Sequence, residues 1–135
     1  MFTLAQLQAT HATVKNGADF PRYVQDMRHL GVVAYDHYVS DGHIEYFGIE
    51  QHLIGPATGA VLQVQPHGDH QALAQALAVH QQGLTDYPTF CRQAAEAGVE
   101  KWTTRTVELT CAYYDRQGQV LIQEAIPLPQ STERQ

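Results

Sequence analysis

Hydrophobic positions along this chain follow two periods, and the pair of periods occurs twice. Leu4, Leu7, His11 and Val14 sit at helical spacing, as do Leu73, Leu77 and His80. A second helix in each half is signalled by its ends. Asp19 and Asp86 can cap free backbone N–H groups with their carboxylates. Pro21 and Pro88 follow inside the first turn, where a missing N–H breaks no hydrogen bond. Gly31 and Gly98 stop these helices after Leu30 and Ala97 by admitting a left-handed residue.

Beyond each glycine the period falls to two. Val33, Tyr35, His37 and Val39, with Ile44 and Tyr46, gather on one side of an extended chain and read as core; Asp36, Tyr38, Ser40, His43 and Glu45 gather on the other. Strands are expected at 32–40 and 43–49, and again at 99–105 and 109–114. Asp41-Gly42 is a strong hairpin signal. As a two-residue turn it would set Ser40 opposite His43, Tyr38 opposite Glu45 and Asp36 opposite Phe47, with Tyr46 opposite His37. The turn of the second half, near 106–108, is less marked. Third strands are expected at 60–65 and 119–126, leaving 49–59 as an irregular insertion with Gly55, Pro56 and Gly59.

These landmarks recur in order. Asp19-Phe20-Pro21-Arg22-Tyr23 returns as Asp86-Tyr87-Pro88-Thr89-Phe90, Gly31-Val32 as Gly98-Val99, Tyr35 as Trp102, and Tyr46-Phe47 as Tyr113-Tyr114. Upstream, Leu4 to His11 matches Leu73 to His80; downstream, Gly59 to Leu62 resembles Gly118 to Leu121. The order favours an internal duplication over two unrelated segments that share a helix-start phrase. The expected fold is α+β: two pseudo-repeated helix-helix-three-strand units, about 4–66 and 70–127, join into one six-stranded antiparallel sheet with four helices on one face. All 135 residues then form a single domain with a polar tail at 128–135. Each unit should pack its helices on an aromatic pair from adjacent strands, Tyr35 with Tyr46 and Trp102 with Tyr113.

Composition narrows the function classes. The chain is 44% hydrophobic and 16% charged, so it can bury a core and is neither disordered nor a coiled coil. A net charge of −6 argues against a nucleic-acid backbone or anionic lipid as partner. No apolar run has the length of a membrane span and the first residues do not read as a signal peptide, so a soluble, cytoplasmic protein with reduced thiols is expected.

Six phrases carry a resemblance: Phe20-Pro21-x-Tyr23, Leu30-Gly31-Val32, Ser40-Asp41-Gly42-His43, Thr85-Asp86-Tyr87-Pro88-Thr89-Phe90-Cys91, Gly98-Val99-x-Lys101-Trp102 and Thr110-Cys111-x-Tyr113-Tyr114-Asp115. Over about residues 4–127 the chain resembles the YdfO-like family, small bacterial proteins often found in or near prophages, some of which carry the label "phage envelope protein". The resemblance implies an α+β fold and no known activity, and it carries over no catalytic residue.

Three groups of side chains could do chemistry. Cys91 and Cys111 have no zinc-ligand spacing with His43 or His80, and they stand where the repeat has Val24 and Ile44, so they read as small buried hydrophobes. His43 beside Asp41 or Glu45 is a candidate acid–base pair, with Asp36, Tyr38 and Ser40 on the same face; the plainer reading is a solvated sheet face. His11 and His80 hold matching places, so a pseudo-twofold axis could bring them together around a ligand; the plainer reading is a pair of helix-end histidines bonded to nearby backbone. No phosphate-binding glycine pattern occurs, and no cofactor or metal is expected. The leading expectation is a non-enzymatic binding or interaction protein with a protein or small-molecule partner, or a second copy of itself. The rival is a small hydrolase or isomerase using His43 with Asp41 or Glu45.

Overall fold

A computed structural model of the chain describes residues 1–15, 17–57 and 61–129. The element order is α1 (Leu4–His11), a short 3-10 turn (Gly17–Asp19), α2 (Phe20–Leu30), β1 (Val32–Tyr38), β2 (Ile44–Gly48), β3 (Gln51–Ile54), α3 (His70–Gln81), α4 (Tyr87–Glu96), β4 (Lys101–Arg105), β5 (Thr110–Tyr114) and β6 (Val120–Ala125). The strands form one antiparallel sheet in the order β3-β2-β1-β4-β5-β6. The fold is α+β, as the segregated helical and strand periods predict. Among the described residues no helix is long and apolar enough to cross a membrane.

The helix ends follow their local chemistry. Thr3 and Gln6 form a reciprocal capping box at α1, and Asp69 accepts from Ala72 N–H at the start of α3. Asp86 caps α4 by accepting from Thr89 N–H at 2.9 Å. Asp19 does not cap α2: its carboxylate is drawn back to Lys15 N–H at 2.8 Å, because the preceding 3-10 turn gives Asp19 a helical backbone. Gly31 and Gly98, at φ 105° and 83°, make the left-handed turns that release the chain from α2 and α4 into the sheet. Tyr23, Val24 and Met27 of α2, and Phe90, Cys91, Ala94 and Ala95 of α4, are the buried stripes.

The centre of the sheet pairs Asp36 with Thr103, positions 67 residues apart, and the same offset carries the β1–β2 pair Tyr35–Tyr46 onto the β4–β5 pair Trp102–Tyr113. Tyr35 lies opposite Tyr46, and Trp102 opposite Tyr113. All four aromatic side chains are buried, with ring centroids 6.3 Å apart in the first pair and 5.8 Å in the second. The expected aromatic pairs therefore form, each beneath its own half of the core.

Three expectations about the strands are corrected. The first hairpin is two residues longer than an Asp41-Gly42 turn would make it. Tyr38 N–H donates to His43 O, His37 faces Ile44, Asp36 faces Glu45, and Tyr46 faces Tyr35 rather than His37. The loop spans 39–42, where Val39 N–H bonds Glu100 O across the sheet and so leaves the hairpin ladder. Because the shift is an even number of residues, the two faces keep their membership. Val32, not Val33, is fully buried at the start of β1, because a bulge lies between Val32 and Ala34. The third strand of the first half is β3, Gln51–Ile54, inside the expected insertion; a tight turn at Glu50 (φ 59°) sends the chain straight back along β2. Residue 60 lies outside the described residues, and 61–65 runs outside the sheet, bonding Ser40 through Leu62 N–H and Ala95 through Gln65 N–H.

Candidate functional site

The outer face of the first hairpin holds the polar cluster read from the sequence. His43 Nδ1 lies 2.6 Å from Asp41 Oδ1, and His43 N–H donates to the same oxygen at 3.0 Å. A carboxylate only accepts, so Nδ1 carries the proton. The backbone bond from His43, aided by the ring, holds the Asp41 carboxyl below its usual value. His43 Nε2 stands 3.6 Å from Glu45, which also meets His52 at 3.4 Å. The His43 ring stacks on Tyr38 with centroids 4.4 Å apart. Asp36 accepts from Thr103 Oγ1 at 2.6 Å and faces Lys101 Nζ at 3.5 Å. Ser40 is tied through its backbone to Leu62. Neither His43 nor Glu45 is among the lining residues of the three cavities described next, whereas Asp41 reaches the wall of the largest.

Those cavities lie under the helices, on the inner face, and all three have His11 and Tyr87 in their walls. The largest, about 400 Å³, is lined by Val39, Leu62, Pro88 and Cys91 with Asp41 and Arg92. A second, about 150 Å³, runs between α1 and β2 past Leu4, Gln8, Ile44 and Tyr46 to Gly55 and Pro56. The third, about 60 Å³, is aromatic, among Tyr23, Tyr35, Phe90 and Trp102, with His80 at its edge.

Where the first two meet stands His37. It is 2% exposed, stacked flat on Trp102 with centroids 4.1 Å apart, and its Nδ1 is 2.7 Å from the Tyr87 hydroxyl. Cys91 Sγ lies 3.9 Å from its Nε2. Burial pushes the His37 pKa down to about 3, with a smaller push from His11, so the ring is neutral at pH 7. Burial likewise drives the Tyr87 hydroxyl well above its ordinary value and the Cys91 thiol up to about 12. Cys91 is thus a protonated thiol rather than a nucleophile at neutral pH. Three uncharged groups that donate and accept hydrogen bonds meet at a cavity wall, a setting made for recognition.

His11 and His80 are both near this interior but do different things. His11 Nδ1 sits 3.3 Å from Tyr23 Oη and its ring meets Tyr87 edge-on; His80 Nδ1 is 3.0 Å from Thr85 Oγ1 and its ring stacks on Phe90. Burial lowers both pKa values. Cys111 is fully buried beside Thr104. Both cysteines are buried, as expected of small hydrophobes at positions aligned with Val24 and Ile44.

His37, Tyr87 and Cys91 are not legible as a site from the sequence pattern, which assigns His37 and Cys91 to the core and gives Tyr87 only a place in the helix-start phrase. A signal was nonetheless present. At the offset of 67 residues their counterparts are Thr104, Phe20 and Val24, so polar groups replace less polar ones at three places that converge in space.

No curated protein matches this chain significantly. A family model described as a protein of unknown function, DUF1398, matches residues 8–125, which takes in every element from β1 to β6, the helices α2 to α4, and all of His11, His37, His43, Tyr87 and Cys91. The chain belongs to the DUF1398 family.

Proposed function

We propose that this protein binds a small molecule in the cleft between α1, α4 and the β1–β2 hairpin, with His37 and Tyr87 as the recognition pair. The observation that carries the reading is the 2.7 Å contact between the buried His37 ring and the partly buried Tyr87 hydroxyl, both uncharged, at the junction of two cavities. A neutral imidazole keeps one donor and one acceptor; the short Tyr87 contact is to Nδ1, while the contacts at Nε2 are longer, 3.4 Å to Tyr87 Oη and 3.9 Å to Cys91 Sγ. Buried polar groups of this kind cost stability unless paired, and a core position could be filled by an aliphatic residue without that cost.

The asymmetry between the halves supports the same site. The common offset of strand pairing supports an internal duplication, and within that proposal the positions equivalent to His37, Tyr87 and Cys91 hold the less polar Thr104, Phe20 and Val24. A bacterial or prophage-associated, cytoplasmic setting belongs to the proposal too and rests on the YdfO-like resemblance. The rival reading, acid–base chemistry by His43 with Asp41 or Glu45, is favoured by the 2.6 Å His43–Asp41 contact. It is disfavoured by the place of His43 and Glu45, neither of which lines any of the three cavities, since a catalytic base needs a concave site that holds its substrate.

The test uses 8-anilino-1-naphthalenesulfonate, a dye that brightens in apolar cavities. Wild-type protein should bind it at a single site, and Cys91→Phe, which fills the larger cavity, should abolish that binding while leaving the circular dichroism spectrum unchanged. Equal dye binding by a folded Cys91→Phe variant would reject the cleft.

A further inference from the structure

The cleft is deep, branched and uncharged at its centre, but its mouth is not. The two arms share His11, His37, Gly42 and Tyr87. The arm between α1 and β2 is apolar, with Leu4, Ile44, Tyr46 and Pro56 in its wall and Gln8 as its polar group. The larger arm ends at two charged residues, Asp41 and Arg92. Asp41 is already engaged, accepting from both the backbone and the ring of His43. Arg92 is exposed and gives Nη2 to Thr89 Oγ1 at 3.1 Å. The guanidinium has five donors, and its fork matches a carboxylate. The other acid in its field is Asp86, whose carboxylate is committed to Thr89 N–H as the α4 cap.

Every other titratable group among the described lining residues of these two arms is uncharged at pH 7. Burial lowers the pKa of His11 and His37 and raises those of Tyr46, Tyr87 and Cys91. A ligand charge in the interior would therefore meet no counter-charge, whereas an anion at the mouth would meet Arg92.

We infer that the ligand of this cleft is a small monocarboxylic acid with a slender apolar body. Its carboxylate sits on Arg92 at the mouth, and its body passes the His37–Tyr87 pair into the arm lined by Leu4, Ile44 and Tyr46. The inference rests on the cleft being the ligand site. The ionic contact is at the surface, so it sets the orientation and chooses the head group, while the buried body supplies most of the affinity.

Trp102 is the chain's single tryptophan and stacks on His37, so its fluorescence reports the cleft directly. The probes are octanoate and 1-octanol, which share a body and differ in charge, titrated into wild type and into Arg92→Gln. Octanoate affinity should fall about three- to tenfold in Arg92→Gln, and 1-octanol affinity should stay within twofold. The octanoate affinity of wild type, and not that of the variant, should weaken as salt is raised. If both ligands bind wild type and Arg92→Gln changes neither, the carboxylate assignment is wrong and the cleft reading stands. If neither ligand perturbs Trp102 at concentrations well above the millimolar range, the carboxylate assignment falls, and failure of the dye to bind the same protein without added ligand removes the cleft reading with it.

Discussion

β1 and β4 lie side by side at the middle of the sheet, each flanked by its own antiparallel partner at the same register, yet they present different chemistry to the helices. In β1 the residue beyond the central pair is His37, met by Tyr87 and Cys91 of α4. In β4 the counterpart is Thr104, buried against Cys111, and the corresponding residues of α2 are Phe20 and Val24. One frame thus supports a dry junction on one side and a polar one beside a cavity on the other. The polar members depend on one another. A buried His37 without a hydroxyl beside it, or Tyr87 without an imidazole, would leave an unsatisfied group costing about 1–3 kcal/mol.

The largest effect expected falls on what the halves share. Trp102→Ala removes a buried ring that packs on His37 and Tyr113, and should cost about 3–5 kcal/mol in a denaturant melt. Tyr35→Ala should be of similar size. Unchanged midpoints in both variants would show that the aromatic pairs are not the structural centre of each half.

Acid separates the halves next. The folded-state pKa of His37 is about 3, below the ordinary 6.5, so its contribution is fully present above pH 6.5 and is lost as the pH falls from there toward 3. A few kcal/mol should go over that window. The double variant His37→Thr with Tyr87→Phe, which copies the Thr104–Phe20 chemistry, should show a flatter acid limb. An identical acid limb would mean that other groups carry it.

A single substitution at the polar junction should have a smaller effect. Tyr87→Phe deletes the hydroxyl and strands His37, at about 1–3 kcal/mol by thermal or chemical melts. The smallest change expected is at the outer face: His43→Gln breaks a half-exposed ion pair and should move stability by less than about 1 kcal/mol. A loss larger than that of Tyr87→Phe would reverse the ranking of the two histidines.

Much of the frame could be read from the chain. Pro21, Pro88, Gly31 and Gly98 locate the second helix of each half because each acts through its own backbone, independent of the rest of the fold. The division of β1 and β2 into two faces also followed from alternation, and it survived a two-residue error in register because that error is even. The loop length itself was not legible. Val39 bonds Glu100 across the sheet, a long-range competition that a turn dipeptide does not encode. β3 was missed because a turn at Glu50 with positive φ carries no glycine to announce it. The candidate site divides in the same way. The His43–Asp41 contact is local and was foreseeable, whereas His37 and Tyr87 are 50 residues apart and meet only through the packing of α4 on β1.

Histidine-selective 15N NMR across a pH titration shows whether His37 is a neutral imidazole held by Tyr87 inside the molecule. His37 should have one protonated and one unprotonated ring nitrogen, unchanged from pH 7 down to pH 5 in the folded protein, with Tyr87→Phe altering both nitrogen shifts. A His37 ring that becomes doubly protonated between pH 7 and pH 5 in the folded protein would contradict it.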